Sequence, residues 1–435
     1  MPPPPVRVGL LGCGVVGSGL LQLLEARERE VAEAAAGPLR VTRVAVRDAT
    51  KRRDPAIPNR SMAIGADAMA VVNAEDVDVV VEVMGGLEAA YPAVRRALER
   101  GLPVITANKH LISVHGPELE ALAARVGVPL RHEASVAGVV PILQSLDQGL
   151  RTERFTLLVG ILNGTTNFIL STMEREGRDF SEALDAARAL GFAEADPSLD
   201  LSGADTAQKL TLLARRAFRT DVPHGSIPTE GIVGMELEDL RQADRFGYVV
   251  KLLGIAQRTP EGLDLRVHPA FIPKRYLLAA VRDEFNAVYL RGDASGSMML
   301  YGKGAGALPT AQAVLGDLIA VARERRLRGG APPSPSPLPA TEPEAKLSLD
   351  EVRTKAYLRL LVDDQPGVLA QIAQRLGASR VSVAQMFQEP GVRGEASITI
   401  LTHEARDRDR RDAVAAIAPL PSVRRAPRSI RIFDR

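Results

Sequence analysis

At 435 residues the chain is long enough for two or three domains of roughly 150 residues each. Apolar residues make up 46% and charged residues 25%, which excludes a disordered chain, and a net charge of +2 gives no electrostatic case for nucleic acid or an anionic membrane. A single cysteine excludes an internal disulfide and, with no Cys/His cluster at zinc-ligand spacing, fits a reducing cytoplasm.

The first predicted element is a strand from Val6 to Leu11, followed by glycines and a helical stretch from Val15 to Ala36. The uncharged run Val8 to Leu24 has the look of a signal-peptide core, but its five glycines make a poor isolated helix. No other stretch supplies about 20 predominantly apolar residues, so no membrane span is expected. Strands are predicted at Leu39 to Val46, Val77 to Met84, Val104 to Ala107 and Val128 to Glu133, with helices at Ala89 to Glu99 and Pro117 to Arg125. This alternation predicts a Rossmann-type parallel sheet over residues 1–141, its strands near-continuous in valine because both faces are covered.

Beyond Pro141 the rhythm changes to a mixed α+β domain over residues 142–302. Its strands are expected at Phe155 to Leu162, Leu263 to Ile272, Ala287 to Arg291 and Ser297 to Tyr301. Its helices are expected at Thr166 to Glu176, Ser181 to Leu190 and Asp205 to Phe218. A long helix from Pro309 to Arg325 follows, and residues 303–326 are expected to complete the first domain. Residues 327–353 hold a proline-rich stretch that reads as a semi-rigid linker. Residues 354–435 then read as βαββαβ, the ferredoxin-like order.

Gly12-Cys13-Gly14-Val15-Val16-Gly17 fits G-x-G-x-x-G at the place its mechanism requires, after a strand and before a helix. The first glycine allows the turn, the second lets a pyrophosphate approach the backbone, and the third lets helix and strand pack closely. Val15 and Val16 open a helix whose free N–H groups would meet the phosphates. Cys13 reads as a small residue beneath the cofactor. The second strand ends in Arg47-Asp48, with Lys51, Arg52 and Arg53 close behind. Arg47, assisted by Lys51 or Arg52, favours the 2′-phosphate of NADP, while Asp48 leaves NAD open.

Only eight of the 55 basic residues are lysine, so each lysine stands out in an arginine-rich chain. Lysine can give up a proton near neutral pH when its site lowers its pKa, and arginine cannot. Lys109, after Thr106-Ala107-Asn108, follows a parallel strand and would lie beside the nicotinamide. The densest polar stretch, Gly191 to Lys209, holds Glu194, Asp196, Asp200 and Asp205. Asp205 and Lys209 are four apart and can pair on one helix face, which by spacing alone also fits an exposed ion pair. Asn163-Gly164-Thr165-Thr166-Asn167 forms a polar turn after a strand, suited to a small ligand.

The run from Ala187 through Gly191, Asp196, Pro197, Asp200, Gly203 and Asp205 to Lys209 resembles the signature of homoserine dehydrogenases. The residues around Lys109, Asn163 to Phe168 and Tyr301 to Gly306 resemble that family too, so the likeness spans Arg7 to Arg326. The tail, with Asp364 to Leu369 at its first turn, resembles an ACT regulatory domain. The resemblance implies reversible NAD(P)H-dependent reduction of L-aspartate 4-semialdehyde to L-homoserine. It implies Lys209 as general acid, Lys109 as stabiliser of the oxyanion, Glu194 and Asp205 on the substrate ammonium, and Asp200 orienting Lys209. Thr165 would contribute to the substrate site, while Gly191 and the Gly302 turn would flank the cofactor. A sodium or potassium ion is implied at Glu133, Val136, Gly138 and Val140, held mainly by backbone oxygens. The tail implies a pathway effector, threonine first, and pairing into a homodimer or homotetramer. Two rival functions fit the residues less well. Aspartate-semialdehyde dehydrogenase chemistry needs a cysteine nucleophile, and the one cysteine lies in the phosphate turn. A catalytically inactive, nucleotide-bound amino-acid sensor would not need both lysines.

Overall fold

A computed structural model of the chain describes residues 3–50, 62–331, 344–391 and 394–434. The N-terminal sheet contains β1 (Val6–Leu11), β2 (Leu39–Ala45), β3 (Ala63–Gly65), β4 (Val79–Glu82), β5 (Val104–Thr106) and β6 (Leu130–Arg131). All six are parallel, in the order β3-β2-β1-β4-β5-β6. The crevice of such a sheet opens where the order reverses, between β1 and β4, beyond the carboxyl ends of the strands. Val79, Val80 and Val81 are fully buried, as expected of strands covered on both faces.

Two helices differ from the sequence expectation. The stretch from Val15 breaks at Arg27 into Val15–Ala26 and Glu28–Ala34. The helix expected from Pro117 instead runs Lys109–Val126 and carries Pro117 inside. Its true start is set by Asn108, whose side chain accepts from the backbone N–H of Leu111 at 3.0 Å. It ends where Gly127 takes the left-handed conformation at φ 84°.

The second sheet holds β7 (Phe155–Ile161), β8 (Tyr248–Thr259), β9 (Gly262–Pro273), β10 (Phe285–Gly292) and β11 (Gly296–Lys303). The tail adds β12 (Arg353–Asp363), β13 (Val383–Pro390), β14 (Glu395–Thr402), the two-residue β15 (Ala405–Arg406) and β16 (Arg428–Ile432). With helices Val368–Ala378 and Asp407–Ile417, the tail has the expected βαββαβ order. It is not set apart from the rest of the fold. β16 pairs in parallel with β9, so the strands run on as one sheet, β11-β10-β7-β8-β9-β16-β12-β14-β13. Tyr357, Leu401, Ile430 and Ile432 of the tail are buried in the same core as Val250, Phe271 and Leu210. The rings of Tyr357 and Phe271 lie 4.7 Å apart. Asp239, fully buried, accepts from Arg359 of β12 at 2.8 Å.

Helix Ala307–Leu327 returns to the nucleotide sheet and packs on Val15–Ala26, with Ala311, Val314 and Leu318 against Leu20 and Leu23. The approach is close enough that a Cβ at Gly19 would fall 2.9 Å from the carbonyl oxygen of Ala307. Among the described residues, no helix is long and apolar enough to cross a membrane.

Candidate active site

At the first turn, Gly12 has φ 101°, a conformation glycine adopts without penalty. A Cβ at Gly17 would sit 2.3 Å from the carbonyl oxygen of Gly12, so the third glycine is needed for packing. At Gly14 a Cβ would meet nothing within 4 Å. The turn therefore presents an open backbone surface at a helix N-terminus, a fit for a dinucleotide pyrophosphate. Val15 is exposed, Val16 lines the adjoining cleft, and the Cys13 thiol lies 3.8 Å from the Ser18 hydroxyl. Arg47 is exposed just past β2, whereas the Asp48 carboxylate accepts from the Thr50 N–H at 2.8 Å and its hydroxyl at 2.6 Å. Lys51, Arg52 and Arg53 lie outside the described residues.

A cleft of about 420 Å³ opens from this turn toward the second domain, its walls including Val16, Gly85, Lys109, Glu194, Lys209 and Gly304. Lys109 is the first residue of its helix and Lys209 stands in Ala204–Phe218. Both reach Asp205, Lys109 Nζ at 2.6 Å from Oδ1 and Lys209 Nζ at 2.8 Å from Oδ2. The i,i+4 pair is thus buried. Lys209 also donates to the carbonyl oxygen of Leu162, at the end of β7, at 2.7 Å.

Burial alone would raise the pKa of Asp205, but the two ammonium groups overwhelm it and hold the carboxyl far below the usual carboxylate range. The lysines respond in opposite directions. Burial, aided by repulsion from Lys109, lowers the pKa of Lys209 despite Asp205. Lys109 is also partly desolvated, but the attraction of Asp205, Asp200 and Glu194 wins and raises its pKa. One carboxylate therefore sets a loosely held proton beside a firmly held charge.

Asn163 ties the neighbouring acids together. Its Nδ2 donates to Asp200 at 2.7 Å and Asp205 at 2.9 Å, and its Oδ1 caps helix Gly164–Glu176 through the Thr166 N–H. The Thr165 hydroxyl lies 2.7 Å from the Phe192 carbonyl oxygen and 2.9 Å from Asp200. Asp200 thus meets Asn163 and Thr165, while Asp205 is the carboxylate that touches Lys209. The resemblance implies Asp205 on the substrate ammonium; in the structure its oxygens face two lysines. Glu194 is exposed at the cleft.

Gly191, at φ 76°, ends the turn after helix Phe180–Ala189, and Gly302 lies on β11 opposite Asn286. The cleft wall near Gly302 is made by Gly304 and Ala305, two and three residues further on. Thr106 points inward and donates to the buried Glu82 at 2.6 Å. Glu82 also accepts from the Met84 N–H at 2.7 Å, while Asn108 donates to the Gly86 carbonyl oxygen at 2.6 Å. These bonds fix the loop after β4 to the start of the helix that carries Lys109. Sequence reasoning missed Glu82, although one acid inside the valine run Val79 to Val83 is a signal of its own.

Glu133, Val136, Gly138 and Val140 form the turn between the two domains, with Ala137 and Gly138 both left-handed at φ 53° and 59°. The Glu133 carboxylate accepts from the Leu143 and Gln144 N–H groups at 3.0 and 2.6 Å, and its own N–H donates to Asp317 at 3.0 Å. Burial, with Asp317 close by, pushes the Glu133 carboxyl up to about 7. Among the described residues, no group of three or more His, Cys, Asp or Glu side chains is placed to hold a metal ion.

A phosphate-accepting glycine turn and two ammonium groups across one cleft define a nicotinamide-dependent oxidoreductase. Residues 12–133 match the family described as "Homoserine dehydrogenase, NAD binding domain", residues 141–319 that described as "Homoserine dehydrogenase", and residues 356–421 the ACT domain. The chain belongs to the homoserine dehydrogenase family, in the arrangement that carries an ACT domain. It is 40% identical over 426 residues to a homoserine dehydrogenase of Pseudomonas aeruginosa, with 96% of each chain covered. A crystal structure of a homoserine dehydrogenase from Thiobacillus denitrificans is similar at TM-score 0.91 and 40% identity, covering 99% of each chain. A hyperthermophilic archaeal homoserine dehydrogenase in complex with NADPH matches in fold at TM-score 0.61 and 23% identity, over 73% of this chain and 97% of that one. The family reaction is the reversible NAD(P)H-dependent reduction of L-aspartate 4-semialdehyde to L-homoserine, in threonine and methionine biosynthesis.

Proposed function

We propose that Lys209 delivers the proton in aldehyde reduction and removes it in the reverse direction, with Lys109 stabilising the developing alkoxide. The observation that carries this reading is the pair of ammonium groups on one buried carboxylate at the cleft wall. The nicotinamide cofactor, when bound, supplies the hydride to the carbonyl carbon. Lys209 Nζ gives its proton to the carbonyl oxygen, and its lowered pKa brings that transfer nearer neutral pH. Lys109 keeps its charge and faces the oxygen as negative charge builds there. Glu194 takes the substrate ammonium, Asp205 holds both lysines, and Asp200 with Thr165 fixes Asn163 and the turn around it. Gly12, Gly14, Val15, Val16 and Gly17 cradle the pyrophosphate. Thr106, Gly191 and Gly302 hold the backbone around the nicotinamide end.

NADP is the preferred cofactor in this reading. Asp48 is engaged by Thr50, and Arg47 is exposed just past β2. The ACT domain takes an amino-acid effector, threonine first, and its shared sheet with β9 is a direct route to the substrate domain. The relatives are bacterial biosynthetic enzymes, which supports a cytoplasmic location. Oxidation of NADPH and NADH by the purified chain with L-aspartate semialdehyde, with threonine titrated in, tests these assignments. Turnover faster with NADPH and suppressed by threonine is expected. Equal rates with the two cofactors would remove the role of Arg47, and indifference to threonine would remove it as effector.

A sodium or potassium ion at the Glu133–Val140 turn would offset the mutual repulsion of the buried Glu133 and Asp317 carboxyl groups. The Glu133 side-chain oxygens accept from the Leu143 and Gln144 N–H groups, and backbone oxygens of Glu133, Val136, Gly138 and Val140 would be the main ligands of the ion. It would brace the hinge between the domains. The thermal midpoint should be higher in potassium or sodium chloride than in tetramethylammonium chloride at equal ionic strength. Identical midpoints would count against the site.

A further inference from the structure

Asn286, the second residue of β10, is fully buried. Its Nδ2 donates at 3.0 Å to the carbonyl oxygen of Leu162, the same oxygen that accepts from Lys209 Nζ at 2.7 Å. Its Oδ1 is buried without a hydrogen-bond partner. Beside this amide lies Gly304, which lines the cleft: a Cβ there would fall 2.2 Å from both Oδ1 and Nδ2. One side chain thus spans the gap between the cleft wall and the anchor of the lysine.

The strand entry that carries Asn286 is itself pinned. Asn167 Nδ2 donates to the carbonyl oxygens of Asp283 and Phe285 at 2.9 and 3.1 Å. Its Oδ1 is held at 2.9 Å by Lys251, a buried lysine of β8. The Phe285 ring stacks on Tyr301 of β11 with centroids 5.0 Å apart. A carbonyl oxygen has two lone pairs. Asn286 occupies one from a rigid strand and leaves the other to Lys209 in a fixed direction.

We propose that Asn286 is a positioning residue for Lys209, linking the placement of the Gly304 turn to the Leu162 carbonyl on which the lysine rests. This rests on Lys209 being the proton donor. Because Asn286 shares the acceptor, removing its donation gives Leu162 wholly to the ammonium and favours the charged lysine.

The test is the pH profile of kcat for aldehyde reduction in Asn286→Leu, Asn286→Ala, Gly304→Ala and the Asn286→Ala/Gly304→Ala double variant. Loss of one buried hydrogen bond should lower kcat of Asn286→Leu roughly tenfold. The NADPH dissociation constant should hold, and the alkaline limb should move to higher pH. Gly304→Ala should displace the amide and shift the limb the same way. With Ala at 286 there is room for the new methyl, so the double variant should lose no more kcat than Asn286→Ala alone. A uniform loss with an unmoved limb, or additive losses in the double variant, would overturn the proposal. If Asn286→Leu does not fold, the alanine cycle answers alone. Near-normal turnover in Lys209→Ala would instead strike the parent reading, while an inactive Lys209→Ala with a fixed limb in the Asn286 variants strikes only this one.

Discussion

Lys209→Ala is expected to lower kcat for aldehyde reduction by about a hundredfold or more, the usual worth of a positioned general acid. NADPH binding should be nearly unchanged, because the pyrophosphate is met by the glycine turn that follows β1 and not by the lysine. Lys209→Arg separates charge from proton transfer: arginine keeps the cation but does not release a proton near neutral pH, so it should stay impaired. The direction of the pH dependence follows from the role. Reduction needs the ammonium form and should fall as pH rises through the Lys209 pKa, while oxidation of homoserine needs the amine and should rise over the same interval. Because burial lowers that pKa, the crossover should lie below the ordinary lysine range. Near-normal turnover in both directions would remove Lys209 from the chemistry.

Much of this arrangement can be read along the chain because it depends on local chemistry. The Gly12–Gly17 turn, the valine-rich β4 and the four-residue interval between Asp205 and Lys209 are each visible in one stretch of sequence. The spacing of that last pair does not say whether it is buried; only the packing of helix Ala204–Phe218 against β7 and β8 takes it out of water. What escaped the sequence depends on distant partners. The Leu162 carbonyl, Asn286 and Gly304 come together only once β10 lies between β7 and β11. β8 went unread because Lys251 and Gly254 interrupt its apolar pattern, yet the fold buries Lys251 on Asn167 and Ser171. Pro117 masked the first two turns of helix Lys109–Val126, although Asn108 was there to cap it. The union of the tail with β9 gives no local sign either. It makes deletion of residues 354–435 a poor test of regulation, because Tyr357, Leu401, Ile430 and Ile432 would leave the substrate-domain core with them.

Asp205→Asn should affect stability and the rate profile together. The wild-type carboxyl has a depressed pKa, so its contribution to stability is present above the unfolded-state pKa and is lost as pH falls through the folded value. The amide replaces a charge that faces two ammonium groups, and breaking a buried pair from one side typically costs about 3–5 kcal/mol. Part of that cost is avoidable here. Lys209 can release its proton, so a lower thermal midpoint that recovers as pH rises is the expected signature, since deprotonation relieves the repulsion from Lys109. The same loss of attraction lowers the Lys209 pKa further, and the limb on which reduction declines should move to lower pH. This is opposite to the shift expected for Asn286→Leu, so the two variants test separate contacts of one lysine. At neutral pH Asp205→Asn should reduce aldehyde slowly for want of a protonated donor, and lowering the pH should restore part of the rate. A limb that stays in place would mean that Asp205 does not set the charge of Lys209, and that the substrate ammonium is the better reading of its role.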